Sequence, residues 1–222
     1  MNAILALFKR ETVIAWRTRA QSIAHLVFVL LMVTLFPFAL GPDAVQLQHV
    51  APGLLLLAIL LGQMLGFEKL FSMDYQNGTL DIIHGSRMSL SFYAIVKSKA
   101  QWCALLLPII VCSPLLMVLL HVPVMHMPVL ILALLLASYI IQQLGMLGAA
   151  LALGAKNAGL LLPLLLIPFY IPVMIFAVSL ATAGAEGEGL QALYFLGALL
   201  VLYSSTLPFL TGAALRSAIE AS

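Results

Sequence analysis

Residues 100–155 read AQWCALLLPIIVCSPLLMVLLHVPVMHMPVLILALLLASYIIQQLGMLGAALALGA, 56 residues without one Asp, Glu, Lys or Arg. A charge at the centre of a bilayer is costly, so charge-free intervals of this kind delimit membrane-embedded chain. One crossing needs about 20 apolar residues, so the interval is too long for one helix and long enough for two. The break between them is expected at His121-Val-Pro-Val-Met-His-Met-Pro128.

Four more charge-free intervals, 20–42, 44–67, 157–185 and 189–215, each have room for one helix. The reading is therefore an all-α integral membrane protein of six transmembrane helices, with spans at about 22–41, 49–67, 100–120, 128–153, 160–183 and 190–214. Composition agrees. The chain is 64% hydrophobic and 8% charged, against about 25% charged in a soluble domain, so it cannot cover itself with a water-compatible surface. A net charge of +2 and the lack of a basic run exclude nucleic acid as a partner. With an even number of spans, both termini are expected on one side. All ten Lys and Arg residues fall on that side: Lys9, Arg10, Arg17 and Arg19 before the first span, Lys69, Arg87, Lys97 and Lys99 between the second and third, then Lys156 and Arg216. The opposite loops carry only Asp43, Glu186 and Glu188. Basic residues accumulate in the cytoplasm, which places the termini and the 68–99 loop there.

Two segments beside the membrane stand out. Residues 2–18 fit an amphipathic interfacial helix, with Ile4, Phe8 and Ala15 on one face and Arg10 and Arg17 on the other. The stripe would lie in the acyl boundary and the arginines among lipid headgroups. Glu11, Arg17 and Arg19 interrupt the apolar region that a cleaved signal peptide would need. In the 68–99 loop, Phe67, Leu70, Phe71 and Asp74 share a helical face, so the second span is expected to continue into the cytosol. Asn77-Gly78 signals a turn. Thr79 is expected to cap a short helix from Leu80, with Asp81 in its first turn and Gly85-Ser86 at its end. Ser89 or Ser91 then starts the helix leading into the third span. Such a short helix could press into a groove on a cytosolic partner or be an ordinary interfacial helix.

The spans hold no charged residue away from their ends. Their polar residues are mild: Gln63, Ser138, Gln142, Gln143, Tyr203, Ser204 and Ser205. His25, His49, His121 and His126 lie near span ends, where they fit either polar anchors or axial haem ligands. Cys103 and Cys112 lack any metal-binding or haem-attachment spacing and read as small packing residues. Gly62-x-x-x-Gly66, and Gly145, Gly148, Ala149 and Ala152, are small-residue rows that let helices approach closely. Pro163, Pro168 and Pro172 are expected to kink or break the fifth span. No phosphate-binding G-x-x-x-x-G-K-[ST], H-E-x-x-H or G-x-S-x-G occurs. The chain is thus read as not an enzyme, with no catalytic, cofactor or metal residues of its own.

Several stretches together resemble a known family. These are Thr34-Leu-Phe-Pro-Phe-Ala-Leu-Gly41-Pro42, Ala51-Pro52-Gly53, Glu68-Lys-Leu-Phe-x-x-Asp74-x-x-x-Gly78-Thr79-Leu80-Asp81, the proline-patterned Leu162 to Ala177, and Leu207-Pro208-Phe-x-x-x-Ala213-Ala-Leu-Arg216. They are similar to the heme exporter protein B (CcmB) family of the bacterial and plant-mitochondrial cytochrome c maturation system, over essentially the whole chain. One departure is Gly85-Ser-Arg-Met-Ser-Leu90, where the family often carries a proline-rich turn.

The resemblance implies an ABC-2-type permease, the membrane subunit of an ATP-binding cassette complex in the bacterial inner membrane. It implies two copies paired with a cytosolic CcmA-like ATPase, which would bind ATP and Mg, and association with CcmC-like and CcmD-like membrane subunits. Haem would be handled by the complex, and ATP hydrolysis would drive release of a haem-loaded CcmE-like chaperone. The chain's two tryptophans, Trp16 and Trp102, do not form the tryptophan-rich haem motif of the CcmC-like subunit. In this architecture Glu68, Phe71, Asp74, Gly78, Thr79, Leu80 and Asp81 are the expected ATPase-coupling residues, with Phe71 and Leu80 as apolar knobs and the carboxylates meeting basic groups or helix N-termini. Alternatives are a non-transporting scaffold that anchors the ATPase to the haem-handling subunit, an ABC-2 permease for another lipid-like substrate, and a proton-coupled carrier, which the missing membrane carboxylates disfavour.

Overall fold

A computed structural model describes residues 19–41, 43–67, 69–86, 88–153, 158–183 and 189–220. The expected interfacial helix at 2–18 lies outside them. Eight helices follow in order: α1 (Arg19–Leu40), α2 (Ala44–Phe67), α3 (Ser72–Gln76), α4 (Thr79–His84), α5 (Leu90–Leu119), α6 (Met127–Leu151), α7 (Ala158–Ala183) and α8 (Leu190–Glu220). No strand occurs among the described residues. Six of these helices are long and apolar enough to cross a membrane. At 1.5 Å per residue, 20 residues match a hydrocarbon core of about 30 Å. The protein is an all-α, six-span integral membrane protein.

Lipid tails are as apolar as leucine, so burial alone does not bring such helices together; close packing and internal polar contacts do. The centre is α6, which packs against α2, α5, α7 and α8. Its glycines explain how. A Cβ on Gly145 would sit 2.1–2.4 Å from the Phe67 ring of α2, and one on Gly148 would sit 2.6 Å from Leu166 of α7. Gly62 of α2 likewise admits the His25 ring of α1, Gly66 is buried in α2, and Ala152 lies just past the end of α6. Gly62, Gly145 and Gly148 therefore serve contacts within one chain.

A polar network adds to this at the junction of α2, α5 and α6. Gln63 Nε2 donates to the Ser138 carbonyl (3.3 Å), and Trp102 Nε1 to Ser138 Oγ (3.3 Å). Ser98 Oγ donates to Gln143 Oε1 (3.2 Å), whose Nε2 donates to Tyr139 Oη (3.0 Å). Outside, the bundle presents Phe38, Leu164, Tyr194, Val201 and Phe209, all exposed, as a surface solvated by lipid must.

Helix α7 corrects one expectation. It runs unbroken from Ala158 to Ala183, through Pro163, Pro168 and Pro172, so these prolines are not helix-breaking. Packing of α7 against α6, α8 and α2 accompanies this continuity, since neighbouring helices let membrane spans tolerate prolines.

The expected break between the two spans of 100–155 has a definite geometry. The Val122 amide donates to the Met117 carbonyl (2.9 Å) and the His121 amide to Val118 (3.0 Å). This paired pattern closes a helix with a left-handed residue, normally glycine. Here that residue is His121, at φ 57°. A side chain there costs about 1–2 kcal/mol, partly offset by the extra freedom glycine gives the unfolded chain. His121→Gly should therefore raise stability by about 0.5–1 kcal/mol, read as a higher unfolding midpoint in detergent.

Candidate functional site

The segment between α2 and α5 is the one described part of the chain that folds outside the six long helices and is anchored to them. The second span does not continue as one helix. Regular helix ends at Phe67, the Leu70 amide turns back onto the Phe67 carbonyl (3.1 Å), and helix resumes at Ser72. Phe71 and Leu70, both buried, fasten this turn to the bundle.

Helix α3 then stops at Asn77, and Gly78 takes φ 68°, the left-handed turn that suits glycine. Gly78 itself, not Thr79, occupies the position before α4. Thr79 is already helical and makes no capping bond with its side chain. The correction follows from the turn, since the Gly78 carbonyl already accepts the Ile82 amide at 3.2 Å, which starts the helix one residue early. Gly85 and Ser86 close α4: their amides reach Asp81 and Ile83, and Ser86 Oγ donates to the Ile83 carbonyl (2.7 Å). Ser89 caps α5, accepting from the Phe92 amide (3.2 Å).

Asp74 carries the main polar anchor. Its carboxylate forms an ion pair with Lys97 of α5 and accepts the Tyr93 hydroxyl (2.8 Å). The side chains of Asp74 and Lys97 are each only 13% exposed. The Lys97 ammonium lies 5.8 Å from the Phe71 ring centre and 5.6 Å from that of Tyr93, within the range where an aromatic face attracts a cation. One turn of α5 thus holds α3 by charge, hydrogen bond and aromatic contact together.

The expected knobs are placed otherwise. Phe71 and Leu80 are almost wholly buried in the chain's own core, because Leu80 and Ile83, three apart, form the inner face of α4. The outer face carries Asp81 and Ile82, and Ile82 is 74% exposed; Met73 of α3 is exposed as well. Sequence reading passed over Ile82, although its offset from the Leu80–Ile83 pair is the signal that marks it. Tyr93 and Lys97 were passed over too, though their spacing of four puts both on one face of α5. Glu68 lies outside the described residues. The result is a small two-helix platform, locked underneath and bearing apolar side chains on top.

The CcmB protein family is matched over residues 2–218. Similar proteins include heme exporter protein B of Haemophilus influenzae, 39% identical over 97% of this chain and 98% of that protein. Those of Rhodobacter capsulatus (36% identical, over 95% and 97%) and Escherichia coli K12 (36%, over 96% and 98%) are similar over almost their full lengths too. On this near end-to-end match the chain belongs to the CcmB protein family.

Proposed function

We propose that this chain is the membrane-spanning subunit of an ATP-binding cassette complex of the ABC-2 type that exports or delivers haem for cytochrome c-type biogenesis. In this reading the α3–α4 platform is the surface on which a separate, CcmA-like ATPase docks. The observation that carries it is Ile82, an exposed apolar side chain on a helix whose other face is buried. A short helix held rigidly by its inner face, with an apolar knob outside, suits insertion into a groove of a partner.

The relatives' shared name, heme exporter protein B, supports haem as the cargo. The distribution of Lys and Arg supports a bacterial inner-membrane protein with the platform and both termini in the cytoplasm. ATP and Mg belong to the ATPase, whose closure the platform passes to α2 and α5. Two copies per complex and CcmC-like, CcmD-like and CcmE-like partners complete the assembly. Phe71, Asp74 and Leu80 support the platform from within and Gly78 makes its turn. Thr79 and Asp81 flank the docking face, and Glu68 is assigned there on sequence pattern alone.

Ile82→Asp tests the reading. It places a charge on the exposed face without touching the core. Co-purification with the ATPase should fall about tenfold, equivalent to about 1.4 kcal/mol, while the unfolding midpoint of the isolated chain stays unchanged. Full recovery of the ATPase with Ile82→Asp would move docking off α4.

A further inference from the structure

The chain has three asparagines, Asn2, Asn77 and Asn157. Alanine follows Asn2 and Asn157, and glycine follows Asn77 alone. That difference is chemical as well as conformational. The main-chain nitrogen after an asparagine can attack the side-chain amide at Cγ, and a Cβ on the attacking residue crowds the approach. Glycine has none. Apart from chain neighbours, the only described atom within 4 Å of where a Gly78 Cβ would stand is Asp81 Oδ2, at 3.8 Å. The fold therefore leaves that space open. Asn77 is also exposed to the water that the reaction consumes.

The folded turn holds the reaction back. Ring closure needs Asn77 Cβ and the Gly78 nitrogen eclipsed about the Asn77 Cα–C bond. At ψ 4° that nitrogen is eclipsed with Asn77's own nitrogen instead. The Gly78 amide is also engaged, donating to the Tyr75 carbonyl (3.2 Å), while the Asn77 amide donates to that of Met73 (3.0 Å). Asn77 must leave the end of α3 before it can react. What holds α3 is the ion pair of Asp74 with Lys97 and the Tyr93 hydroxyl on the same carboxylate, one turn before Asn77.

We propose that Asn77-Gly78 is a self-modifying site, at which asparagine converts to aspartate and isoaspartate when α3 unlocks from α5. The Gly78 nitrogen bonds to Asn77 Cγ, its proton passes to Nδ2, and Nδ2 leaves as ammonia. The cyclic imide then takes up water. Opening at Cγ gives aspartate. Opening at the main-chain carbonyl gives isoaspartate, whose chain runs through Cβ and is one atom longer. Nothing is oxidised or reduced. Either product sets a new carboxylate in the turn between Asp74 and Asp81, where like charges repel, and the longer chain slackens the join of α3 to α4. The consequence for the ATPase rests on the docking reading above: conversion weakens its hold on the platform.

The test ages the purified chain in lipid nanodiscs, in warm and mildly alkaline buffer, and follows each asparagine by peptide mass. Conversion reads as a gain of one dalton, and isoaspartate as methyl transfer by an isoaspartyl methyltransferase. Asn77 should convert while Asn2 and Asn157 stay intact. A reaction confined to the open form tracks its population. Lys97→Met should therefore speed conversion about tenfold, equivalent to about 1.4 kcal/mol on the opening equilibrium. Asn77→Gln should stay unmodified, since its ring would need a sixth member. No gain at Asn77, a gain no faster than at Asn2 and Asn157, or equal rates in wild type and Lys97→Met each overturn the proposal. ATPase recovery is read on the same samples before and after ageing. Aged wild type should lose recovery and aged Asn77→Gln should keep it; an equal loss in both breaks the link to docking. Failure of fresh wild type to recover the ATPase counts against the docking reading alone and leaves the mass result standing.

Discussion

Gly212→Ala should destabilise the protein by about 3 kcal/mol, the upper end of the usual cost of overpacking. A Cβ on Gly212 of α8 would fall 2.1 Å from Ser91 Oγ, 2.7 Å from the Ser91 nitrogen and 2.9 Å from its Cα. The hydroxyl could rotate away, but the nitrogen and Cα are backbone. They belong to the first turn of α5, which Ser89 caps from one side. Relief therefore requires α5 and α8 to separate where the platform joins the bundle. Gly145→Ala makes the informative contrast. Its nearest neighbour is the Phe67 ring, a side chain, so Phe67→Leu should recover much of the loss at Gly145. Ser91→Gly should recover less than half of the loss at Gly212, because the backbone remains. Unfolding midpoints of the four variants in detergent decide this. A Gly212→Ala protein as stable as wild type would mean that α8 does not approach α5 this closely.

Gly212 also shows where sequence reading stops. The pairs Gly62 and Gly66, and Gly145 and Gly148, are visible because small residues recur at helical spacing within one segment. Gly212 sits in an ordinary Thr-Gly-Ala-Ala run, and its reason for being glycine is a backbone 121 positions earlier in the chain, at Ser91. The six spans were legible for the opposite reason. The cost of a charge in hydrocarbon is paid locally, so the charge-free intervals record it residue by residue.

The platform divides along the same line. Its turn at Gly78 and its end at Gly85-Ser86 follow from local backbone chemistry and could be read. Which face of α4 is buried depends on the bundle beneath, and so Phe71 and Leu80 read as knobs while Ile82 went unmarked. The α7 prolines are the mirror case. A local rule predicted a kink or a break, and with three neighbouring helices packed against it the helix does not break.

Lys97→Met should cost about 3 kcal/mol, the lower end for removing one partner of a buried ion pair. The Asp74 carboxylate, 13% exposed, would keep the Tyr93 hydroxyl at 2.8 Å but lose the ammonium that balances its charge. Partial exposure and the surviving hydrogen bond hold the cost at that lower end. The sign of the second step is what makes the test specific. Adding Asp74→Asn to Lys97→Met removes the unbalanced charge and keeps an acceptor for Tyr93, so the double variant should regain most of the loss even though it lacks the ion pair altogether. If the pair acts mainly by holding α3 on α5, amide exchange across Ser72–His84 should quicken in Lys97→Met and return towards wild type in the double variant. Exchange on α6 should not change. ATPase recovery should follow the exchange of the platform, because Ile82 can act as a knob only while α4 is held still. A Lys97→Met protein with wild-type stability and wild-type exchange would show that Phe71 and Leu80 alone fix the platform, leaving the ion pair without a structural role.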